Sequence, residues 1–285
     1  MKLLYVDEHL ECYNYREEDK SDARLEYFKN KSEVISDLFV TEIVFVLEGG
    51  ISISYERFKN ETVKAGNMLL IPTGTRFVAV TESETRLLIF RVRSSIQFCE
   101  GFGLEQLFAE HYPEDDGFHT LEFNVRVDAY LNSFIPLLED GVMCCRYHEI
   151  KIEELFLLLR AYYPKEDLAM FFRPMLSAEA EFSNFVLKHY RNVNSVQEFA
   201  ALAHYSQSGF EKHFRKVFGV SPAFWLRKKK AGNLYQDLIN SDKSIKQLCS
   251  EYGFSSHANM CDFCNRHFQS TPSQIRDKKN KPKKA

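Results

Sequence analysis

The apolar residues in the first hundred positions are spaced as in short β-strands. The run 42–48 ends at a Gly-Gly pair, and residues 51–55 then alternate between apolar and polar, which together predict a hairpin. Three further strand-like segments follow, at 68–72, 77–80 and 86–93. Several short strands at this spacing indicate a β-sandwich or barrel.

From about Phe123 to Pro164 the apolar spacing becomes helical. One stripe ends at Gly141 and a second ends before Pro164, so the pattern predicts two consecutive helices. The first stripe contains Val127, Tyr130, Leu131, Phe134, Leu137 and Leu138, and the second contains Ile152, Leu155, Leu158, Leu159 and Tyr162.

The last hundred residues contain an internal repeat of about 50 residues. The segment Phe218 to Pro222 recurs as Phe268 to Pro272, and Phe210 and Phe214 have counterparts fifty residues later at Met260 and Cys264. Val196, Phe199 and Ala200 return 49 residues later as Ile245, Leu248 and Cys249. A repeat of this length predicts two copies of one supersecondary unit.

Each copy begins with a helix-capping pattern. Ser195 to Glu198 and Ser244 to Gln247 both fit S/T-x-x-E/Q, in which the two side chains bond the free backbone N–H groups of a starting helix. A turn and a second amphipathic helix follow, and a Ser-Pro or Thr-Pro pair then opens a third. Each copy is therefore predicted to be a helix-turn-helix followed by a new helix.

The helix that follows the first copy, from Pro222 to Asn240, is predicted to link the two motifs and to fix their separation. Two helix-turn-helix motifs on one face of DNA place their second helices in major grooves about 34 Å apart. Arg227 to Lys230 form a basic cluster on this helix. A rigid linking helix suits that spacing.

These residues resemble the DNA-binding domain of AraC/XylS-type transcriptional regulators over roughly residues 178 to 277. The resemblance is carried by Val196 to Ala200, Tyr205, Ser206, Phe210, Phe214, Phe218 to Pro222, Ser244, Ile245, Tyr252 to Ser256, Phe268 and Pro272. It implies that the second helix of each motif reads bases. The matching positions are Gln207, Ser208, Glu211 and Lys212 in the first copy and Ser256, His257, Asn259 and Asp262 in the second.

The distribution of charge agrees with a DNA-binding C-terminal half. Residues 1–174 hold 19 Lys and Arg against 31 Asp and Glu, whereas residues 175–285 hold 18 against 9. Arg215 and Lys216 add cations beside Lys212, but the second copy has Asp262 where the family usually has a base-contacting Arg, and a lone Arg266. An acid there repels phosphate unless it faces a cytosine, so the second motif is predicted to be the weaker reader. The lysine-rich tail at 278–284, predicted to be a disordered, solvated segment, adds nonspecific attraction to phosphate.

The N-terminal strands resemble the cupin-like jelly roll that often precedes this DNA-binding domain, chiefly over 63–72. Catalytic cupins usually bind a metal with two or three barrel histidines, yet no His occurs between His9 and His111. We therefore predict no catalytic residues, no metal and no cofactor, and a small-molecule pocket instead. Its ligand is unknown; Tyr13, Tyr15, Arg76, Arg91 and Arg93 are candidate lining residues, with surface or structural roles as the alternative.

His257, Cys261, Cys264 and His267 mix zinc-ligand types, but they lie along one predicted helix and cannot all converge on one ion. By the repeat, Cys264 replaces the core residue Phe214 and is predicted to be a small buried hydrophobe. The seven cysteines show no framework spacing, which fits reduced thiols.

The predicted fold is thus a cupin-like β jelly roll with a helical hairpin, followed by an all-α domain of two helix-turn-helix motifs joined by a linker helix. The predicted boundaries are 1–164 for the sensing and dimerisation domain, 165–177 for a linker and 178–285 for the DNA-binding domain. In related regulators a helix pair at this place carries dimerisation, which the resemblance assigns here to Leu131, Phe134, Leu138, Leu155 and Leu159. Packing of these helices on their own barrel is the alternative.

The predicted function is that of a sequence-specific regulator that binds double-stranded DNA. The expected partners are a small-molecule effector, a second copy in a homodimer and RNA polymerase. The absence of a long apolar run or leader-like N-terminus predicts a cytoplasmic protein without a membrane span. A cupin-type enzyme tethered to DNA and a protein-interaction module that has lost sequence specificity are the rival hypotheses.

Overall fold

The computed structural model describes residues 3–6, 9, 12, 15, 22–113, 115–193 and 195–280. Tyr13 and the end of the basic tail lie outside these residues. The chain forms two compact units, one of residues 1–189 with 216–219 and one of residues 190–215 with 220–285.

The first unit contains the predicted strands. They are β1 (Ala23–Phe28), β2 (Glu33–Asp37), β3 (Thr41–Glu48), β4 (Gly50–Tyr55), β5 (Phe58–Lys64), β6 (Asn67–Ile71), β7 (Arg76–Thr81), β8 (Thr85–Val92), β9 (Gln97–Cys99), β10 (Phe102–Gly103) and β11 (Leu121–Glu122). The β3–β4 hairpin predicted from the Gly-Gly pair is present as two strands, but β3 and β4 do not pair with each other: they belong to different sheets.

Nine of these strands form two antiparallel sheets in jelly-roll order, and β9 pairs separately with β10. The first sheet has the order β1-β8-β3-β6-β11 and the second has the order β2-β7-β4-β5. The chain therefore alternates between the two sheets from β1 to β4, forms the β4–β5 hairpin within the second sheet, and alternates again from β5 to β8, as in a jelly roll. The predicted cupin-like jelly roll is confirmed.

Side chains of the five-stranded sheet alternate between two cores. On β3, Val44 and Val46 face the second sheet and pack with Ile53 and Phe77. Ile43 and its alternating neighbours on β3 and β8 instead pack against helices. Because both faces of this sheet are covered, its strands read as nearly continuous apolar runs.

The helices of the first unit are α1 (Leu104–Glu110), α2 (Val125–Glu139), α3 (Cys145–Tyr162), α4 (Lys165–Phe172) and α5 (Ala178–His189). The predicted helical hairpin corresponds to α2 and α3. Asn124 caps α2 by accepting hydrogen bonds from the N–H groups of Arg126 and Val127. A 3₁₀ turn, Arg173–Leu176, follows α4.

The five leucine and phenylalanine side chains predicted to form the dimer interface are buried in their own subunit. Leu131, Phe134, Leu138, Leu155 and Leu159 are all members of the helix–sheet core. A second copy cannot reach them without unfolding this core. The structure therefore supports the alternative role for these five residues, packing of α2 and α3 on their own barrel.

The predicted linker at 165–177 is also packed. Leu168, Phe171 and Phe172 of α4, together with Met175 of the 3₁₀ turn, lie in the same core, and the first unit extends to His189. The structure thus differs from the predicted boundaries: this segment completes the first unit and does not separate two domains. The apolar side chains of α4 explain the difference, because their burial stabilises a packed helix.

The second unit is helical. It contains α6 (Val196–Leu202), α7 (Gln207–Phe218, without its last three residues), α8 (Pro222–Asn240), α9 (Ile245–Glu251), α10 (His257–Phe268) and α11 (Pro272–Asn280). The predicted pair of helix-turn-helix motifs corresponds to α6–α7 and α9–α10, and the predicted linker helix is α8.

Candidate nucleic-acid interface

The caps of the two motifs agree with the sequence prediction. Ser195 and Ser244 accept hydrogen bonds from the N–H groups of Glu198 and Gln247 at 3.1 and 3.2 Å, and so begin α6 and α9. At Ser244 the Gln247 side chain also accepts from the Ser244 N–H, which completes the capping box. These bonds satisfy backbone donors that a helix start leaves free.

The turn inside each motif has the same hydrogen bonds, displaced by 49 residues. Tyr205 N–H donates to the Ala200 carbonyl and Phe254 N–H donates to the Cys249 carbonyl, both at 2.9 Å. The turn residue with positive φ is His204 in the first motif, at 59°, and Gly253 in the second, at 63°. The two motifs therefore have the same backbone conformation in the turn, and the second helix begins at the equivalent position in each.

The second helix of the first motif, α7, separates core and solvent faces. Phe210 and Phe214 are fully buried. Gln207, Ser208, Lys212 and Arg215 are exposed, and Glu211 is partly exposed. Gln207 Nε2 donates to Glu211 Oε1 at 3.2 Å, so these two predicted reading residues form a pair one helical turn apart. Lys216, also predicted to contact DNA, is ion-paired with Glu179.

The second helix of the second motif, α10, has fewer cations on its exposed face. Its predicted DNA-contacting residues Ser256, His257, Asn259, Asp262 and Arg266 are all exposed. Ser256 caps the helix by accepting from the Asn259 N–H at 3.1 Å, and Arg266 Nε donates to the backbone carbonyl of Asp262 at 3.2 Å. The predicted chemical difference between the two helices is thus present on their solvent faces.

The mixed cysteine and histidine set on α10 is spread around the helix. Cys264 is fully buried, as predicted, and burial raises the pKa of its thiol to about 12. Cys261 instead lies 3.6 Å from Nδ1 of the exposed His257. Within the part of the chain that the structure describes, no three His, Cys, Asp or Glu side chains are placed to hold a metal ion.

The basic cluster on α8 divides into two kinds of side chain. Arg227 and Lys228 are exposed. Lys230 Nζ instead stands 4.2 Å from the ring centroid of Phe254, and burial lowers its pKa. Lys229 Nζ lies 5.3 Å from the ring centroid of Trp225. Sequence reasoning treated the cluster as uniform, because a run of cations does not show which members pack on aromatic rings.

Polar contacts that sequence reasoning missed connect the second motif to α8. The Tyr252 hydroxyl donates to Asp237 Oδ2 at 2.7 Å. Arg276 of α11 donates to two backbone carbonyls, from Nη2 to Lys243 at 2.7 Å and from Nε to Leu238 at 3.3 Å. The sequence carries no signal for this role of Arg276, because only the fold brings these carbonyls beside it.

The candidate pocket residues of the first unit do not form one group. Arg91 Nε donates to Glu42 Oε1 at 3.1 Å on the side of the sheet that faces the jelly-roll interior. Arg93 is ion-paired with Asp22, and Arg76 is exposed near Asp37. The Tyr15 hydroxyl donates to the Gly141 carbonyl. Arg91 is therefore the candidate that lies toward the interior, and its guanidinium is held by a buried carboxylate.

Comparisons with known proteins agree with this architecture. Residues 199–278 match the family described as "Helix-turn-helix domain". The HTH-type transcriptional regulator ExsA of Pseudomonas aeruginosa is 30% identical over 232 residues, which cover 75% of this chain and 78% of that protein. The thermoregulatory protein LcrF of Yersinia pestis is 30% identical over 130 residues, 45% of this chain and 48% of LcrF.

Two solved structures are also similar to this chain, at lower sequence identity than ExsA. Unsaturated fatty acid-bound ToxT from Vibrio cholerae matches 92% of this chain and 97% of its own, with 13% identity and a TM-score of 0.40. The DNA-binding domain of AdpA in complex with a target DNA matches 37% of this chain and 97% of its own, with 26% identity and a TM-score of 0.32.

None of the helices in the described residues combines the length and apolar character needed to cross a membrane.

Two observations lead to one family assignment. The first is the pair of helix-turn-helix motifs with matched caps and turns, joined by a linker helix. The second is the similarity to ExsA over most of both chains. The chain belongs to the AraC/XylS family of DNA-binding transcriptional regulators.

Proposed function

We propose that α7 and α10 read two successive major-groove segments of one DNA site. The observation that supports this most directly is the matched exposure of polar side chains at the start of both helices, from Gln207 to Lys212 and from His257 to Asp262. Their caps and turns coincide, so both helices present these residues in the same way. Gln and Asn can bond adenine, and Glu can accept from cytosine N4.

The two helices contribute unequally in this proposal. Lys212 and Arg215 give α7 two exposed cations, whereas α10 presents Arg266 beside Asp262. Cations attract the phosphate backbone and release counterions, and an acid opposes that attraction. The first motif therefore supplies most of the affinity, and the second adds specificity where a cytosine lies opposite Asp262.

Selection from a random-sequence duplex library with the full chain tests this function. The selected DNA should contain two short conserved segments about 10 base pairs apart, one helical turn. Affinity for that DNA should fall with salt at a log-log slope of about −0.9 per phosphate neutralised. Recovery of unenriched sequence, or binding that is flat in salt, would contradict the proposal.

We also infer that the protein acts as a homodimer through the outer face of α3. Ile150 and Leu157 are 45% and 52% exposed and lie two helical turns apart on one side of that helix. Residues seven apart on a helix form the seam along which two helices pack. This face replaces the five buried leucine and phenylalanine side chains of α2 and α3 as the proposed dimer surface.

The remaining parts of the proposal concern partners. A small-molecule effector would bind in the jelly-roll unit and shift the equilibrium between DNA-binding states, as a ligand with different affinity for two states must. DNA-bound protein would contact RNA polymerase in the cytoplasm. A rival function, a protein-interaction module without sequence specificity, is favoured only by Asp262, and the selection experiment distinguishes the two.

A further inference from the structure

Arg276 joins three elements of the second unit through its side chain. It lies in the second turn of α11 and donates to the carbonyls of Lys243 and Leu238 at 2.7 and 3.3 Å. Its side chain is partly buried. A guanidinium carries several donors in a rigid planar fork, so it can hold two acceptors at a fixed separation, which an ammonium on a flexible stem cannot do in the same way.

The two carbonyls belong to the ends of consecutive helices. Leu238 is in the last turn of α8, where carbonyls lack a partner within the helix. Lys243 directly precedes Ser244, the N-cap of α9. Arg276 therefore holds the short connection between the linker helix and the second motif from both of its sides.

Two neighbouring contacts tie the same motif to α8. Tyr252, at the end of α9, donates to Asp237 at 2.7 Å, and Lys230 lies over the ring of Phe254, which follows the turn. We refer to Arg276, Asp237 and Tyr252 as the polar clamp. Its members come from α11, α8 and the end of α9, so together they restrict rotation of the second motif about the linker helix.

The first motif has no counterpart of Arg276 in its sequence. At the fifty-residue spacing that relates Pro272 to Pro222, the matching residue is Leu226. Contacts of the first motif with α8 include the edge-to-face pair of Phe214 and Trp225, with ring centroids 5.7 Å apart. The two copies thus attach to one helix by different chemistry.

We propose that Arg276 is a positioning residue that sets the orientation of α10 on the linker helix and thereby the reading of the second DNA segment. This inference rests on the proposed function of the two motifs. The inference also uses the weak charge of α10, where the positive charge of Arg266 lies beside the negative charge of Asp262. Because their charges offset each other, attraction to the DNA phosphates contributes little to orienting this helix. Placement must come from the protein itself, and the polar clamp supplies it.

Hydroxyl-radical footprinting of the full chain on a duplex selected by the wild-type protein tests this role. Arg276→Met keeps much of the side-chain length and removes every donor. For Arg276→Met we expect the protein concentration needed to protect the second segment to rise about tenfold, because a lost base contact weakens binding about tenfold. The concentration needed to protect the first segment should change by less than about twofold. Arg276→Lys should recover part of the protection, since one carbonyl can still be bonded.

Arg227→Met is the matched control, because it removes an exposed cation from α8 by the same substitution. It should weaken both segments to a similar extent, as loss of a phosphate contact does. Arg276→Met that protects both segments as the wild type does would overturn the positioning role. Equal weakening of both segments by Arg276→Met would overturn it too, because a general loss of charge or stability acts on both motifs.

Hydrogen exchange of the free protein gives a readout that does not depend on DNA. Arg276→Met should speed amide exchange in 245–268 and leave 196–218 unchanged, because the clamp holds only the second motif. Unchanged exchange in both segments would overturn the clamp. If the wild type selects no DNA but exchange responds as expected, the proposed reading function fails while the clamp stands.

Discussion

Glu42 accepts a 3.1 Å hydrogen bond from Nε of Arg91, the residue directly opposite it on the neighbouring strand. The same oxygen accepts from Arg24 at 3.2 Å, and the Glu42 side chain is only 4% exposed. Removing the carboxylate leaves two arginines near the interior without this acceptor. We expect Glu42→Ala to lower the free energy of unfolding of the first unit by about 3 kcal/mol, as for other broken buried pairs.

Glu26→Ala is the control for this prediction. Glu26 also pairs with Arg24, at 2.9 Å, but its side chain is 38% exposed, so its loss should cost less than about 1 kcal/mol. Urea unfolding followed by circular dichroism measures both variants. Equal costs would show that burial does not strengthen the Glu42 network.

Lys212 and Asp262, at matched positions of α7 and α10, should respond oppositely to truncation. Lys212→Ala removes a phosphate or guanine contact and should weaken binding to the selected duplex about tenfold. Asp262→Ala should leave affinity unchanged or raise it, because it relieves repulsion from phosphate, unless Asp262 accepts from a cytosine. Fluorescence anisotropy on selected and scrambled duplexes measures the difference. If Asp262→Ala lost as much specificity as Lys212→Ala does, the two motifs would contribute equally to base reading.

Leu157→Glu should dissociate the dimer without unfolding the chain. The side chain is half exposed on α3, so a carboxylate there meets water in the monomer and an apolar surface in the dimer. Analytical ultracentrifugation should show a monomer with an unchanged melting temperature. Ile35→Glu, an equally exposed site on β2, serves as the control and should remain dimeric. A wild-type protein that sediments as a monomer refutes the dimer itself.

The stability of the first unit should fall as pH drops below about 6.5. His148 is fully buried on α3, and this burial lowers its pKa, although the Val142 carbonyl, 2.9 Å from Nε2, and the charge of Asp22 oppose the shift. Below the unfolded value of 6.5 the unfolded chain binds a proton that the folded chain does not. Unfolding is therefore favoured by up to about 1.4 kcal/mol per pH unit until the folded pKa is reached.

His148→Gln removes this titration and provides the control. Denaturant unfolding between pH 5 and 8 should give a smaller slope of stability against pH for the variant than for the wild type, whatever their absolute stabilities. Identical slopes would assign the pH dependence to other groups.

Local signals in the sequence were enough to predict the helical motifs. Ser195, Ser244 and Pro222 act on backbone groups within four residues, so their effect is visible without the fold. The jelly roll could be predicted as a class, but its pairings could not, because β1 bonds with a strand distant in the sequence. Hydrophobic periodicity shows which residues form a strand but does not show which distant strand it pairs with.

The predictions that the structure does not support concern the dimer residues of α2 and α3 and the linker at 165–177. In both cases only the tertiary structure shows which side of a helix is buried. Leu155 and Leu157 are the same residue type on one helix, yet the first is fully buried and the second is half exposed. Phe171 and Phe172 follow a charged, linker-like start but pack into the core. Arg276 gains its role from carbonyls more than thirty residues earlier in the chain, which no sequence motif indicates.

The pairing of β1 with β8 also limits how the protein can be made. Ala23 lies opposite Phe90 and Phe28 lies opposite Thr85, so β1 has its backbone partner only after the strands up to β8 have left the ribosome. Until then the edge of β1 is open to pairing with other chains. Because contacts so distant in the sequence form slowly, the barrel should be the slow-folding and aggregation-prone part of the nascent chain.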